Sequence, residues 1–210
     1  MKDKIVLFDW GNIVESNIKG YTLFEAMDKT YKMCGYNKEE RVYTYLKKYR
    51  LTAINSEKEF KETYEKIKKE LNLNKNYEEF KQIYIENHDK IDYFKNVRDY
   101  ELSLKDRCKI GILSNLNILD KVRIEKQLGL SNYDYVFLTC DIGLRKPDKE
   151  IFEYVTKHLP FKKENILLVD DKKENTDAAK AYGWKALTAT GEELDKIKEG
   201  INSFLEKEDD

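Results

Sequence analysis

Two kinds of apolar pattern run along this chain, and they occupy separate stretches. Ile5-Val6-Leu7-Phe8, Ile110-Gly111-Ile112-Leu113, Val136-Phe137-Leu138 and Ile166-Leu167-Leu168-Val169 are short, continuous and bounded by polar residues. Such runs read as strands buried on both faces. Strands are predicted at 4–9, 109–113, 135–139, 166–169 and 185–188. Helices are predicted between them, over 118–128, 148–158 and 173–182. Leu194, Ile197, Ile201 and Phe204 recur at helical spacing and mark a last amphipathic helix that closes the core. Strands alternating with helices predict an α/β fold with a right-handed, doubly wound parallel sheet, Rossmann-like in architecture.

The second pattern fills the stretch from about 17 to 88, where the spacing is helical throughout. Leu23, Met27, Tyr31 and Cys34 share one face. Ser56 with Glu59 makes a capping-box pattern, followed by the stripe Phe60, Tyr64, Ile67, Leu71. Tyr77, Phe80 and Tyr84 make a third stripe. The expected organisation is a sheet domain of residues 1–16 and 89–210, interrupted by an all-helical cap domain of residues 17–88. An insertion at that point sits over the strand ends and acts as a lid that excludes water. Its many tyrosines read as helix packing.

Composition narrows the classes. At 210 residues the chain fits one large or two small domains. Its 39 basic and 40 acidic side chains nearly cancel, so charge implies neither nucleic acid nor an anionic membrane as a partner. No apolar stretch approaches the roughly 18 residues of a membrane span. Met1-Lys2-Asp3-Lys4 leads straight into the first strand, leaving no room for a signal peptide. Cys34, Cys108 and Cys140 are odd in number and lack metal-ligand spacing, which reads as reduced thiols in a cytoplasmic protein. Cys140 is expected as a buried strand-end residue rather than a nucleophile. His88 and His158 belong to no pattern and are taken as surface residues. The tail Glu206-Lys207-Glu208-Asp209-Asp210 is expected to be solvated.

The candidate chemistry sits where strands end. Asp9 ends the first run, Ser114 the second, and Asp170-Asp171 the fourth, while Lys146 follows the third by a short loop. In an open parallel sheet, ligands bind beyond the carboxyl ends of the strands, so these distant residues should converge on one rim. A carboxylate nucleophile, a hydroxyl, a lysine and a carboxylate pair suit metal-assisted phosphoryl transfer.

Four stretches together resemble the haloacid dehalogenase superfamily of hydrolases. They are Phe8-Asp9-Trp10-Gly11-Asn12, Leu113-Ser114-Asn115, Gly143-Leu144-Arg145-Lys146-Pro147-Asp148, and Val169-Asp170-Asp171 with Asn175. They fall in the family's order, and the helical insertion looks like the family's helical cap type. The resemblance implies Asp9 as the nucleophile that becomes a phosphoaspartate. Ser114 would hydrogen-bond a phosphoryl oxygen, helped by the backbone amide of Asn115. Lys146 would neutralise charge on the phosphoryl group and on Asp9. Asp9 and Asp171, with the backbone carbonyl of Gly11, would hold Mg²⁺. Asp170 would hydrogen-bond Lys146 or a metal-bound water, since two adjacent carboxylates repel unless a cation is near. Asn175 would anchor the following helix beside the acidic pair. Trp10 is expected near the pocket mouth, limiting substrate size. The implied partner is a small phosphorylated metabolite.

One position departs from the family's commonest phosphatase pattern, where a second aspartate stands two residues after the nucleophile. Gly11 stands there instead. It keeps a carbonyl for the metal but offers no acid-base side chain, help worth about 10²–10⁴-fold. A good leaving group such as the anomeric oxygen of a sugar 1-phosphate would lessen that need. The Asp-x-Gly-Asn stretch resembles a subgroup of the family that looks like sugar-phosphate phosphatases. Two alternatives compete. A 2-haloacid dehalogenase would use the same nucleophile but does not keep an acidic pair suited to Mg²⁺. A catalytically weak module would bind a phosphometabolite, yet need not keep the nucleophile.

Overall fold

Every predicted strand forms and pairs in parallel with its neighbours in the computed structural model, which describes residues 3–16 and 20–206. The strands are β1 (Ile5–Phe8), β2 (Lys109–Ser114), β3 (Tyr135–Leu138), β4 (Ile166–Asp170) and β5 (Lys185–Thr188), in spatial order β3-β2-β1-β4-β5. The central β1 pairs on both sides, Val6 lying opposite Ile110 and Leu167. Buried on both faces, its side chains alternate between two cores as the two-residue period requires. Val6 and Phe8 join one cluster with Ile110, Ile112, Ile197 and Ile201. Ile5 and Leu7 join the other with Leu168, Phe152, Val155 and Trp184.

Ten α-helices cover the described residues. Those flanking the sheet are α5 (Lys95–Ser103), α6 (Ile118–Leu128), α7 (Thr139–Ile142), α8 (Lys149–Lys157), α9 (Lys173–Tyr182) and α10 (Leu194–Glu206). Val97 of α5, Ile124 of α6 and Ile197 of α10 pack on one face, and Ile151 of α8 and Ala179 of α9 on the other. The sheet is therefore doubly wound, as the alternation predicted. Two details differ. The third strand stops at Leu138, because Thr139 opens the one-turn helix α7. The sequence reading had no helix at α5, where only Val97 and Glu101 are buried and no apolar stripe forms.

Between β1 and β2 lie α1 (Leu23–Met33), α2 (Tyr43–Leu46), α3 (Glu57–Leu71) and α4 (Tyr77–His88), ahead of α5. The second and third predicted stripes are fully buried, while in the first Tyr31 and Cys34 are buried and Leu23 and Met27 only partly so. Tyr31, Phe60, Tyr64, Ile67, Tyr77, Phe80 and Tyr84 form a separate aromatic cluster, with Tyr64 stacked on Phe80 at 4.2 Å between ring centroids. Full capping boxes start α1 at Thr22–Glu25 and α4 at Asn76–Glu79. At Ser56 the half formed is the Glu59 N–H donating to Ser56 Oγ at 3.3 Å. The two chain passages joining this cluster to the sheet run together. Ser16 N–H donates to Asp92 O at 2.8 Å, and Phe94 N–H to Val14 O at 2.7 Å. Residue 17, the expected start of the insertion, and residues 207–210 of the acidic tail lie outside the described residues.

Candidate active site

Three adjacent strands, β2, β1 and β4, end side by side and present Ser114, Asp9 and Asp170 at one rim. Asp9 continues the ladder by one bond, its N–H donating to Val169 O at 2.9 Å. Ser114 Oγ donates to Asp9 Oδ1 at 2.6 Å. The backbone N–H of Trp10 donates to the same carboxylate oxygen at 2.8 Å. Asp9 is 6% exposed, so the centre is almost closed to solvent.

Lys146 reaches this point from the loop after α7, and it is fully buried. Its Nζ lies 3.2 Å from Asp9 Oδ1 and also donates to Asp170 Oδ2. Burial alone would lower the lysine's pKa, but the two carboxylates outweigh it and raise the value. Asn115 explains how a flexible chain is held there. Its Nδ2 donates to Lys146 O at 2.9 Å, and its Oδ1 accepts from Lys146 N–H at 3.0 Å. The sequence reading gave Asn115 a backbone role only; its side chain clamps the lysine's backbone. Asn175 Nδ2 donates to both oxygens of Asp170, at 2.9 and 3.0 Å, anchoring α9 to the acidic pair.

Oxygens of Asp9, Asp170 and Asp171 lie within 4.8 Å of one another. Three carboxylates thus crowd together, and only two of them pair with Lys146, an arrangement that asks for more positive charge. Burial pushes the Asp9 carboxyl above the usual range, against the pull of Lys146 and with the push of Asp170. Asp171 rises to about 6, first from burial and then from the charge of Asp9. Its Oδ1 is buried without a hydrogen-bond partner, while Oδ2 accepts from Asn12 Nδ2 at 3.2 Å. A hard divalent cation fits these oxygen donors and would offset their mutual repulsion. Asp9 and Asp171 could hold it, as the sequence suggested; Asp170 is already engaged by Lys146 and Asn175.

Asn12 was given no role from sequence. It adopts a left-handed conformation, φ 62°, at the apex of a turn in which its N–H donates to Glu15 O at 2.6 Å. Asparagine tolerates that conformation better than most residues, and this was the available signal. Gly11 lies in the same turn, where its only feature for chemistry is its backbone.

Two expectations are corrected. Trp10 is fully buried in the sheet's core, so its indole is not at a pocket mouth; a large apolar ring gains more by joining Phe8, Ile13 and Val14 beneath the rim. His88 is also fully buried, not on the surface. It stands four residues after Tyr84 and so extends the Tyr77, Phe80, Tyr84 stripe by one turn. Its ring stacks on Tyr84 at 3.6 Å. His158 is exposed as expected, and Cys34, Cys108 and Cys140 are free and buried. Burial, with the charge of Asp141, pushes the Cys140 thiol up to about 11, which suits a packing role.

Comparison with known proteins bears on the fold and the family. A sesquiterpene phosphatase of Aspergillus oryzae is 40% identical over 58 residues, which are 28% of this chain and 30% of that protein. The chain therefore spans under a third of that relative's length. A Bacteroides thetaiotaomicron enzyme of the haloacid dehalogenase family, solved with magnesium and inorganic phosphate, superposes with a TM-score of 0.71 at 17% identity, covering 90% of this chain and 96% of that one. The L-2-haloacid dehalogenase of Xanthobacter autotrophicus superposes at 0.63 with 14% identity, covering 89% and 77%. At such identities these structures establish the fold. Among the described residues no helix is long and apolar enough to cross a membrane. The family model described as haloacid dehalogenase-like hydrolase matches residues 14–189, and the chain belongs to that family of hydrolases.

Proposed function

We propose that this protein is a Mg²⁺-dependent phosphatase of small phosphomonoesters, working through a phosphoaspartate on Asp9. The observation that carries the reading is the cluster of three carboxylates within 4.8 Å of one another, two of them paired with the buried Lys146. Attack on a haloalkane carbon needs no such excess of negative charge, whereas phosphoryl transfer uses a cation to offset it. The phosphatase name of a relative matched over 58 residues supports the same choice.

Asp9 would attack phosphorus with one carboxylate oxygen, and the bond from phosphorus to the leaving oxygen would break. Lys146, 3.2 Å from Asp9 Oδ1, would offset the charge that Asp9 shares with the phosphoryl group. Ser114 Oγ and the Trp10 N–H hold the nucleophile now and would orient it. Water would then attack phosphorus, releasing phosphate and restoring Asp9. Bound by Asp9, Asp171 and the Gly11 carbonyl, Mg²⁺ would supply Lewis-acid stabilisation of the phosphoryl oxygens. With no carboxyl at Gly11 to protonate the leaving oxygen, substrates with good leaving groups are favoured, sugar 1-phosphates among them.

Residues 17–88 would serve as the cap. Their aromatic cluster is separate from the sheet's two cores, and two contacts tie the segment to residues beside the rim. Thr139 Oγ1 donates to Thr52 O at 2.5 Å, and Arg50 pairs with Asp148 at 3.3 Å, two residues beyond Lys146. With Asp9 only 6% exposed, substrate entry would need this contact to open. Three buried free thiols support a reducing, cytoplasmic setting.

The test is phosphate release from a panel including p-nitrophenyl phosphate and hexose 1-phosphates, with Mg²⁺ and with EDTA. Release that requires Mg²⁺ and vanishes in a folded Asp9→Asn variant is expected. No release from any ester by folded, Mg²⁺-supplied protein would sink the reading, and 2-haloacids would be assayed next.

A further inference from the structure

Outside the catalytic cluster, a second buried group of charges among the described residues is built around Arg123 of α6. The residue is 3% exposed, and its Nη1 lies 2.6 Å from Glu15 Oε1, itself buried. Its Nη2 lies 3.6 Å from Asp120 Oδ1. Asp120 in turn accepts from Tyr84 Oη at 3.0 Å and from Asn117 Nδ2 at 2.6 Å. Burying an ion pair is costly, and packing alone would be served as well by apolar residues of the same volume. What an ion pair adds is a defined position for each partner.

That position matters because of where Glu15 lies. Glu15 closes the turn that begins at Trp10: its N–H donates to Trp10 O at 3.1 Å, and its carbonyl accepts from Asn12 N–H at 2.6 Å. It bridges Gly11 on one side and Tyr93, in the returning chain passage, on the other. Asn12 then donates from Nδ2 to Asp171 Oδ2, leaving Asp171 Oδ1 buried and unpaired. A continuous chain of contacts therefore runs from Arg123 through Glu15 and Asn12 to Asp171.

We propose that Arg123 and Glu15 form a buried strut that sets the turn carrying Gly11 and Asn12, and thereby the aim of Asp171. Arg123 is thus a positioning residue: it acts through Glu15 and Asn12 and touches no reacting atom. Without it, Glu15 loses the ion pair that holds its buried side chain, and the turn that Glu15 closes is no longer pinned to α6. The inference rests on the reading that Asp171 holds a divalent cation. Contacts that orient a metal ligand from outside typically cost roughly 10–100-fold in affinity or activity when lost.

The experiment compares wild-type protein with Glu15→Gln and Arg123→Met, each checked for folding by circular dichroism. Mg²⁺ binding is measured by calorimetry without substrate, and kcat and KM by phosphate release. Glu15→Gln keeps the shape and removes the charge, so it should fold even if Arg123→Met does not. The expected result is a Mg²⁺ dissociation constant raised about 10-fold and kcat lowered by a similar factor, with KM changed less than about twofold. Arg123→Lys should recover part of the loss, because it restores a cation without the fork. A folded Glu15→Gln protein with wild-type Mg²⁺ affinity and kcat overturns the strut, even if its melting temperature falls. A wild-type protein that neither binds Mg²⁺ nor releases phosphate overturns the functional reading itself, and the strut's role at Asp171 with it.

Discussion

Replacing His88 with phenylalanine should change how stability depends on pH far more than it changes stability near neutrality. His88 is fully buried at the end of α4, with Nδ1 2.8 Å from Tyr84 O and Nε2 lacking a partner. Burial, helped by the charge of Arg123 and opposed by Glu15, lowers its pKa from 6.5 to about 3. The folded protein thus keeps the ring neutral where the unfolded chain would protonate it. A depressed histidine pKa contributes fully above 6.5 and is lost as pH falls from there toward about 3. At pH 5, about 1.5 units below the unfolded value, the loss is about 2 kcal/mol, at roughly 1.36 kcal/mol per unit. Near pH 7.5 it is close to zero. Phenylalanine keeps the stack on Tyr84, gives up one hydrogen bond and removes an unsatisfied nitrogen, so the two should differ by less than about 1 kcal/mol at pH 7.5. The assay is urea unfolding of both proteins between pH 5 and pH 7.5, read as the difference between them. The difference is the proper quantity, because buried Glu101, raised to about 8 mainly by burial, adds an opposite slope over part of the range. The variant should gain about 2 kcal/mol on the wild type between pH 7.5 and pH 5. Parallel curves would refute the reasoning and mean that His88 titrates as it does in water.

Two further substitutions follow from the packing. Gly111 lies in the middle of β2, where an added Cβ would stand 2.7 Å from Tyr135 O and 2.8 Å from Leu7 Cδ2; Gly111→Ala should cost about 1–3 kcal/mol in urea unfolding, and an unchanged midpoint would count against this sheet geometry. Asn115→Ala removes both hydrogen bonds that hold the backbone of Lys146; kcat for phosphate release should fall about 10-fold at roughly 1.4 kcal/mol, with folding intact, and an unchanged kcat would mean the lysine holds its place without the clamp.

Much of this protein could be read along the chain. Short apolar runs marked the strands, and stripes such as Phe60, Tyr64, Ile67 and Leu71 marked helices, because burial on one or both faces imposes a period on the residues. Strand ends place Asp9, Ser114 and Asp170 at one rim, since parallel strands in one layer must end on the same side. Helix α5 escaped because it buries too few apolar residues to make a stripe. Trp10 and His88 were misplaced as well. His88 continues the helical stripe one turn past Tyr84, but its ring is polar and so did not count as an apolar position; Trp10 stands in a bend just past β1, where burial imposes no period.

Polar partnerships lie further from reach. The sequence by itself determined the strands, the apolar-striped helices, their alternation, the parallel sheet and the chemical groups at its rim, through local propensity and the periods that burial demands. Only the tertiary structure decided that Asn115 clamps the backbone of Lys146, that Asn12 meets Asp171, and that Arg123 finds Glu15 across the fold. A hydrogen bond or ion pair depends on two groups coming within about 3 Å, and which distant groups do so is settled by how whole helices and strands pack, not by the residues beside them in the chain.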